Sequence, residues 1–152
     1  AALRGAMGVR ASYLPDSDGR EPLDHVPEMS RRARAIPVYA ALRSLGRSGL
    51  GEMFERNCRQ ARQFAARLAE AGYEILNEVV LNQVLVSFGS ADTTQRVIDA
   101  LQAEGTCWCG GTVWQGHTAM RISVCSWATT DADVELSATA MLRAARSVGS
   151  RS

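Results

Sequence analysis

The sequence predicts an α+β fold: a mostly antiparallel sheet with flanking helices, preceded by a long irregular loop. Three patterns support this fold class. Apolar residues recur at three- and four-residue steps from Leu50 to Leu68, strand-like alternation begins after Val79, and all four prolines lie in the first quarter of the chain. A chain of 152 residues is long enough to bury one packed core.

Residues 1–29 are predicted to form the irregular loop. Pro, Asp, Ser and Gly are mixed between Tyr13 and Met29 without helical or strand periodicity. Loops of this length in compact proteins are usually functional or disordered. Because no element precedes the loop to anchor it, we expect the chain to be a piece of a longer protein.

Residues 30–49 are predicted to form a linking helix. Ser30 is a favourable N-cap, and Gly46 suits the end of a helix that runs to about Leu45. Pro37 falls inside this helix, and we expect it to kink the helix.

Residues 50–148 are predicted to form the compact domain. Its first helix begins at Leu50 and ends at Gly72, a residue type common after helix ends. β-rich segments follow, the last two of them joined near Gln115. The predicted strands are 73–76, 79–88, 106–114 and 119–126.

Two further helices are predicted between and after these strands. Asp92 or Thr93 caps a short helix that ends at Gly105. Thr130, with Asp133 three residues later, resembles a capping box at the start of the last helix.

Charge and composition exclude several functions. All 17 basic residues are arginine, and 16 acidic residues leave a net charge of only +1, which argues against a nucleic-acid partner. Without lysine, the chain has no internal Schiff base with a carbonyl cofactor, no phosphate-loop lysine and no lysine base. No apolar run is long enough for a membrane helix, and four cysteines are too few for a disulfide scaffold. We therefore expect a cytoplasmic protein.

Possible metal and nucleophile sites are weak in this sequence. Cys107, Cys109 and His117 lack the spacing of a zinc knuckle, and the two cysteines more plausibly pack as small hydrophobic residues on one face of a strand, so no metal is expected. A cysteine nucleophile would need His25 or His117 as its base.

Other motifs favour structural roles. The glycine-rich run GRSGLG at 46–51 follows no strand, so a break between helices is preferred over a phosphate-binding loop. The arginines at 31, 32 and 34 suit a solvated or dimer-facing helix start. Tryptophans near strands are most often core or interface residues. The three here are Trp108, Trp114 and Trp127.

Several short segments, in order along nearly the whole chain, resemble a single family. They are SRRAR (30–34), LGRSGL (45–50), VLNQVLV (80–86), GTCW (105–108) and MRISV (120–124). Together they resemble the carboxy-terminal portion of the pyridoxal-phosphate-dependent group II amino-acid decarboxylases. The resemblance implies the aspartate-aminotransferase fold, with residues 50–148 as its small C-terminal domain and residues 1–29 as a mobile catalytic loop left from the large domain.

The resemblance assigns roles to two residues. Tyr13 is similar in position to a loop tyrosine whose phenol is thought to protonate the substrate carbon after carbon dioxide leaves; otherwise it is an exposed loop tyrosine. Arg121 matches an arginine that contacts the substrate carboxylate in some relatives, which suits the bidentate geometry of a guanidinium. The alternative for Arg121 is a buried structural ion pair.

The resemblance also implies how the whole enzyme works. Its pyridoxal 5′-phosphate would be bound by the large domain, whose cofactor lysine would fall shortly before Ala1. The chain would then be an inactive part of a homodimeric decarboxylase that acts on an amino acid. Two alternatives stay open: a free-standing α+β interaction or regulatory module, and another pyridoxal-phosphate enzyme of the same fold, an aminotransferase or a lyase.

Overall fold

The computed structural model describes Ala6 and residues 32–150. Tyr13, His25, Ser30 and Arg31 therefore lie outside the described residues. The chain divides into two compact units, Ala1–Ser44 and Leu45–Ser152. The boundaries at 29/30 and 49/50 stay predictions.

Helix α1 covers Ala35–Glu70 and contains one non-helical residue, Gly46, at φ 63° and ψ −170°. The predicted break between helices is therefore confirmed at Gly46. The predicted kink at Pro37 is wrong, because Pro37 lies in the first turn, where a backbone N–H has no acceptor within the helix. Arg32 and Arg34, just before the helix, are exposed.

The C-terminal end of α1 is closed by a Schellman motif. The N–H of Tyr73 donates to the Leu68 carbonyl, and the N–H of Gly72 donates to the Ala69 carbonyl. Gly72 has φ 89°, which glycine adopts without steric cost. The prediction that this helix ends at Gly72 is confirmed.

A four-stranded sheet follows, with strand order β1-β2-β4-β3 and every described pair antiparallel. The strands are β1 (Glu74–Ile75), β2 (Gln83–Ser87), β3 (Gly110–Trp114) and β4 (His117–Ser123). A two-residue turn joins β3 to β4, with positive φ at Gln115 and Gly116, as hairpins of this length require. The predicted strands were too long, because 79–82 and 106–109 are irregular.

Helices α2 (Ala91–Glu104) and α3 (Asp131–Gly149) complete the domain. Ser90, rather than Asp92 or Thr93, caps α2, since its side chain accepts the N–H of Thr93. At α3 the predicted capping box is confirmed: Thr130 accepts from the N–H of Asp133, whose carboxylate accepts from the N–H of Thr130.

The core lies between the helices and one face of the sheet. Alternate residues of β2 and β4 point into it, since Val84 pairs with Ile122 and Val86 with Met120, and all four are buried. Fully buried side chains from the helices complete it: Leu68, Val97, Ile98, Leu101, Val134 and Met141.

Two further predictions concern the tryptophans and membrane-spanning helices. The three tryptophans are exposed in this chain, so a core role for them is wrong. Within the described residues, none of the helices combines the length and apolar character that a membrane crossing requires.

Candidate functional site

Arg121 lies in the middle of β4, on the face of the sheet opposite the core. It pairs with Leu85 of β2 on one side and Gly110 of β3 on the other. Arg121 is exposed, and among the described residues it makes no hydrogen bond or ion pair. A buried structural ion pair, the alternative for this residue, is therefore wrong within the described part of the chain.

The surface beside Arg121 is open on the β3 side, whereas its neighbour on the β2 side is the buried residue Leu85. Gly110 brings no side chain to the position directly across from it, and a Cβ built there would meet nothing within 4 Å. One residue pair further along the same face, the Gln83 amide donates to the Ser123 hydroxyl at 3.3 Å.

Two asparagines hold β2 in place beside Arg121. Asn77 accepts the N–H of Leu85 at 2.7 Å and donates to the Gln83 carbonyl at 3.2 Å. The side-chain amide of Asn82 donates to the Val124 carbonyl at 2.9 Å, and the backbone carbonyl of Asn82 accepts the N–H of Val124. These side chains satisfy backbone groups where the ladder is incomplete, which fixes the register of β2 against β4.

A second group of polar side chains lies on the core side of the sheet, at a cavity of about 180 Å³. Cys107 and Cys109 line it from the segment before β3, and Ser137 lines it from α3. Cys107 is half-buried and Cys109 is buried. The two thiols were predicted to lie on one face of a strand, but they lie on irregular chain instead. Their proximity to Ser137 depends on tertiary packing that no local pattern encodes.

The two thiols differ in acidity. A hydrogen bond from Cys109, with a second from Ser137, lowers the pKa of Cys107 to about 7, although burial and the nearby Glu104 carboxylate oppose this shift. The same hydrogen bond and burial raise the pKa of Cys109. Cys107 is therefore the more acidic thiol of the two.

Neither group of residues fits a metal or a pyridoxal phosphate. No cluster of three or more His, Cys, Asp or Glu suited to a metal occurs among the described residues. The cavity has one charged lining residue, Asp133, which would repel a phosphate. The chain also contains no lysine for a Schiff base with the cofactor aldehyde.

Comparison with known proteins shows similarity to decarboxylases over most of the chain. No family model matches the chain. Histidine decarboxylase of Drosophila melanogaster is 30% identical over 139 residues, which is 88% of this chain and 16% of that protein. The similarity thus runs through most of this chain but spans a small part of the relative.

Solved structures share the fold. The TDC of Oryza sativa, determined with PLP and tryptamine, has a TM-score of 0.73 at 15% identity, over 95% of this chain and 33% of that one. Tryptophan decarboxylase of Catharanthus roseus, in complex with L-tryptophan, has a TM-score of 0.69 at 17% identity, over 82% of this chain and 29% of that one.

The chain is related to the pyridoxal-phosphate-dependent group II amino-acid decarboxylases. Its helices and antiparallel sheet match the carboxy-terminal domain of these enzymes, which have an aspartate-aminotransferase-like fold. The expected fold class and the expected family are both confirmed. The chain spans about a third of the length of the solved structures it matches.

Proposed function

We propose that the chain forms the small C-terminal domain of a pyridoxal-phosphate-dependent decarboxylase that converts an L-amino acid to an amine and carbon dioxide. The observation that carries this proposal is the likeness to histidine decarboxylase through most of the chain. The match of the whole sheet-and-helix domain to decarboxylase structures supports it.

Within this function, Arg121 binds the substrate carboxylate. Its exposed position, the absence of a competing acid among the described residues and the empty position at Gly110 support this role. Because the guanidinium does not have to leave another acid first, it can donate two parallel hydrogen bonds to a carboxylate. The phenol of Tyr13, outside the described residues, donates the proton that the substrate carbon takes up after carbon dioxide leaves.

The cofactor is held by residues outside this chain. Pyridoxal phosphate supplies the electron sink for loss of carbon dioxide, and its Schiff-base lysine must come from a large domain, because this chain has none. We therefore expect residues 1–152 alone to lack decarboxylase activity.

The active enzyme is a homodimer in this proposal. An open groove of about 600 Å³ runs along α1 and the segment before β2, and Phe54, Val80 and Leu81 line it with more than half of each side chain exposed. Apolar residues grouped in this way favour a protein interface. A cytoplasmic location is also part of the proposal, because all four cysteines are free thiols.

The decisive experiment compares residues 1–152 with the same chain continuous with its large domain. Carbon dioxide release is measured over a panel of L-amino acids with added pyridoxal phosphate, together with the absorbance of the lysine–cofactor imine. The longer protein should show both signals and the chain alone neither. Carbon dioxide release by residues 1–152 would refute the proposal.

The same experiment separates the alternatives. An aminotransferase of this fold would yield a keto acid without carbon dioxide, and another lyase would yield neither carbon dioxide nor an amine. A free-standing interaction module would show none of these products and would have no large domain joined to it.

A further inference from the structure

Strand β3 (Gly110–Trp114) forms an open edge of the sheet. It pairs with β4 on one side, and no strand lies on its other side among the residues that the structure describes. Its sequence, GGTVW, contains neither a charged residue nor a proline, the residue types that usually keep an edge strand from pairing. The opposite edge, β1, is only two residues long and begins with Glu74. The edge that can accept a further strand is therefore β3.

The backbone groups of β3 that point outwards belong to Gly111 and Val113. The two-residue turn at 115–116 makes Trp114 and His117 a hydrogen-bonded pair, and such pairs alternate along an antiparallel ladder. Residues between these pairs direct their N–H and C=O groups away from the neighbouring strand. Gly111 and Val113 therefore each offer an N–H and a C=O to a further strand.

We propose that two copies of this chain pair antiparallel along β3, across a two-fold axis at Thr112. In this register Gly111 exchanges hydrogen bonds with Val113 of the second copy, and Gly110 lies beside Trp114 of the second copy. All of β3 pairs in this register, and every outward-facing N–H meets a C=O. A shift of one residue would set outward-facing groups against inward-facing ones, and a larger shift would leave part of β3 unpaired.

The side chains of β3 complement themselves in the same register. The two glycines that begin the strand lie opposite the two large residues that end it. Glycine weakens a strand because it brings no side chain to pack, and an aromatic side chain on the neighbouring strand compensates for this loss. A Cβ built at Gly110 meets nothing within 4 Å, so an indole has room beside it. Val113 and Trp114, which are 69% and 45% exposed in the single chain, would both be covered.

This contact goes beyond the proposed function and is separate from the homodimer of the active enzyme. The groove assigned to that homodimer is lined by α1 and the segment before β2, and β3 does not line it. Trp114 of the second copy would lie beside Gly110, in the space that a substrate carboxylate needs. Pairing at β3 is therefore expected of the isolated chain, and it should be weak because the edge is short.

Sedimentation equilibrium of residues 1–152, from about 10 µM to about 1 mM, covers the affinity expected of a weak interface. The average mass should rise from the monomer towards the dimer. Val113→Pro removes an outward N–H at an edge position, where proline is tolerated, and should raise the dimer Kd by about tenfold or more without changing the circular dichroism spectrum. Leu81→Glu, in the groove, is the matched control and should leave the mass unchanged. A monomer throughout this range, or a dimer lost with Leu81→Glu and retained with Val113→Pro, would overturn the proposal.

Cysteine cross-linking tests the register separately. In a chain with Cys58→Ser and Cys125→Ser, Thr112→Cys should form a covalent dimer on mild oxidation, because opposite β-carbons would lie about 4.5 Å apart, close to what a disulfide requires. Val113→Cys would lie opposite Gly111 of the second copy and should cross-link no more than the parent chain. Cross-linking of Val113→Cys above that of Thr112→Cys would overturn the register, and equal yields from all three chains would overturn the pairing.

Discussion

Arg121 lies directly opposite Gly110 in the antiparallel pairing of β3 and β4. Residues that face each other in this way place their side chains on the same face of the sheet. Because Gly110 has none, the surface on one side of the guanidinium stays open. The carboxylate-binding role proposed for Arg121 depends on that space.

Filling this space should weaken substrate binding without unfolding the domain. In the intact enzyme, Gly110→Val and Arg121→Gln should each raise KM, by about 10- to 100-fold if a charge-assisted hydrogen-bonded pair is lost. A Cβ at position 110 meets nothing within 4 Å, so the melting temperature should change little for Gly110→Val. Val113→Thr, on the same strand and exposed, is the matched control. An unchanged KM in both variants would remove Arg121 from the site.

Gly46 and Gly51 should respond in opposite ways to alanine. Gly46 has φ 63° and ψ −170°, a conformation that is essentially restricted to glycine, so Gly46→Ala should lower the free energy of unfolding by about 1–3 kcal/mol. Gly51 is helical and has open space around it, so Gly51→Ala should raise this free energy by about 0.5–1 kcal/mol. Urea denaturation of residues 1–152 measures both. Equal effects would show that the break at Gly46 is not required.

The α3 capping box should make stability depend on pH in the acid range. Hydrogen bonds from the N–H and hydroxyl of Thr130 lower the pKa of Asp133 below its usual value. A carboxyl group whose pKa is lower in the folded state stabilises the fold above its unfolded pKa, and this contribution is lost as the pH falls through the folded pKa. Asp133→Asn should therefore be less stable than the unsubstituted chain at pH 7, with the difference narrowing on acidification.

Thr130 is the partner in this capping box and offers a separate test. Thr130→Ala should cost about 1 kcal/mol at neutral pH, whereas Thr130→Ser should retain most of the stability. Thermal unfolding followed by circular dichroism measures the loss. An alanine variant as stable as the serine variant would contradict a role for this cap.

Structural features that depend on neighbouring residues in the sequence could be predicted, whereas features that depend on tertiary contacts could not. The capping box at Thr130 and the hairpin turn at Gln115 are encoded by neighbouring residues, and both were predicted. Gly46 was identified because glycine marks helix ends, but Pro37 was misjudged because a helix start is set by a residue's position in the turn. Strand ends at 79–82 and 106–109 were wrong because the loss of pairing partners is a tertiary property.

The candidate functional residues were also identified from the sequence, but their surroundings depend on tertiary structure. Arg121 was found through resemblance, whereas its open surroundings depend on the cross-strand partner Gly110, which register alone determines. Cys107 and Cys109 were seen in the sequence as packing residues. The pKa of Cys107 is lowered mainly by Cys109, two residues away, and to a smaller extent by Ser137, about 30 residues away in the sequence. The contribution of Ser137 depends on tertiary packing, which no periodic pattern could have predicted.

Alkylation of Cys107 should follow an apparent pKa of about 7. At pH 7 this thiol should react about threefold faster with iodoacetamide than a peptide cysteine of ordinary pKa, because a roughly 15-fold gain in thiolate outweighs its lower nucleophilicity. Cys109→Ala should raise the apparent pKa of Cys107 more than Ser137→Ala does, since the hydrogen bond from Cys109 is the larger cause. Pseudo-first-order rates between pH 5 and 9 give these values. A profile unchanged by both variants would contradict the hydrogen-bonded pair.

Tyr13→Phe in the intact enzyme tests the proposed proton donor. Phenylalanine keeps the ring but removes the hydroxyl, so amine formation should fall by about 10²- to 10⁴-fold, the usual contribution of a positioned general acid. Carbon dioxide and amine are measured together, because a carbon left unprotonated after carbon dioxide leaves should shift the ratio of products. Tyr39→Phe, an exposed tyrosine on α1, is the matched control and should leave both rates unchanged. A normal rate and product ratio in Tyr13→Phe would remove Tyr13 from the mechanism, while leaving the carboxylate role of Arg121 to be decided by its own variants.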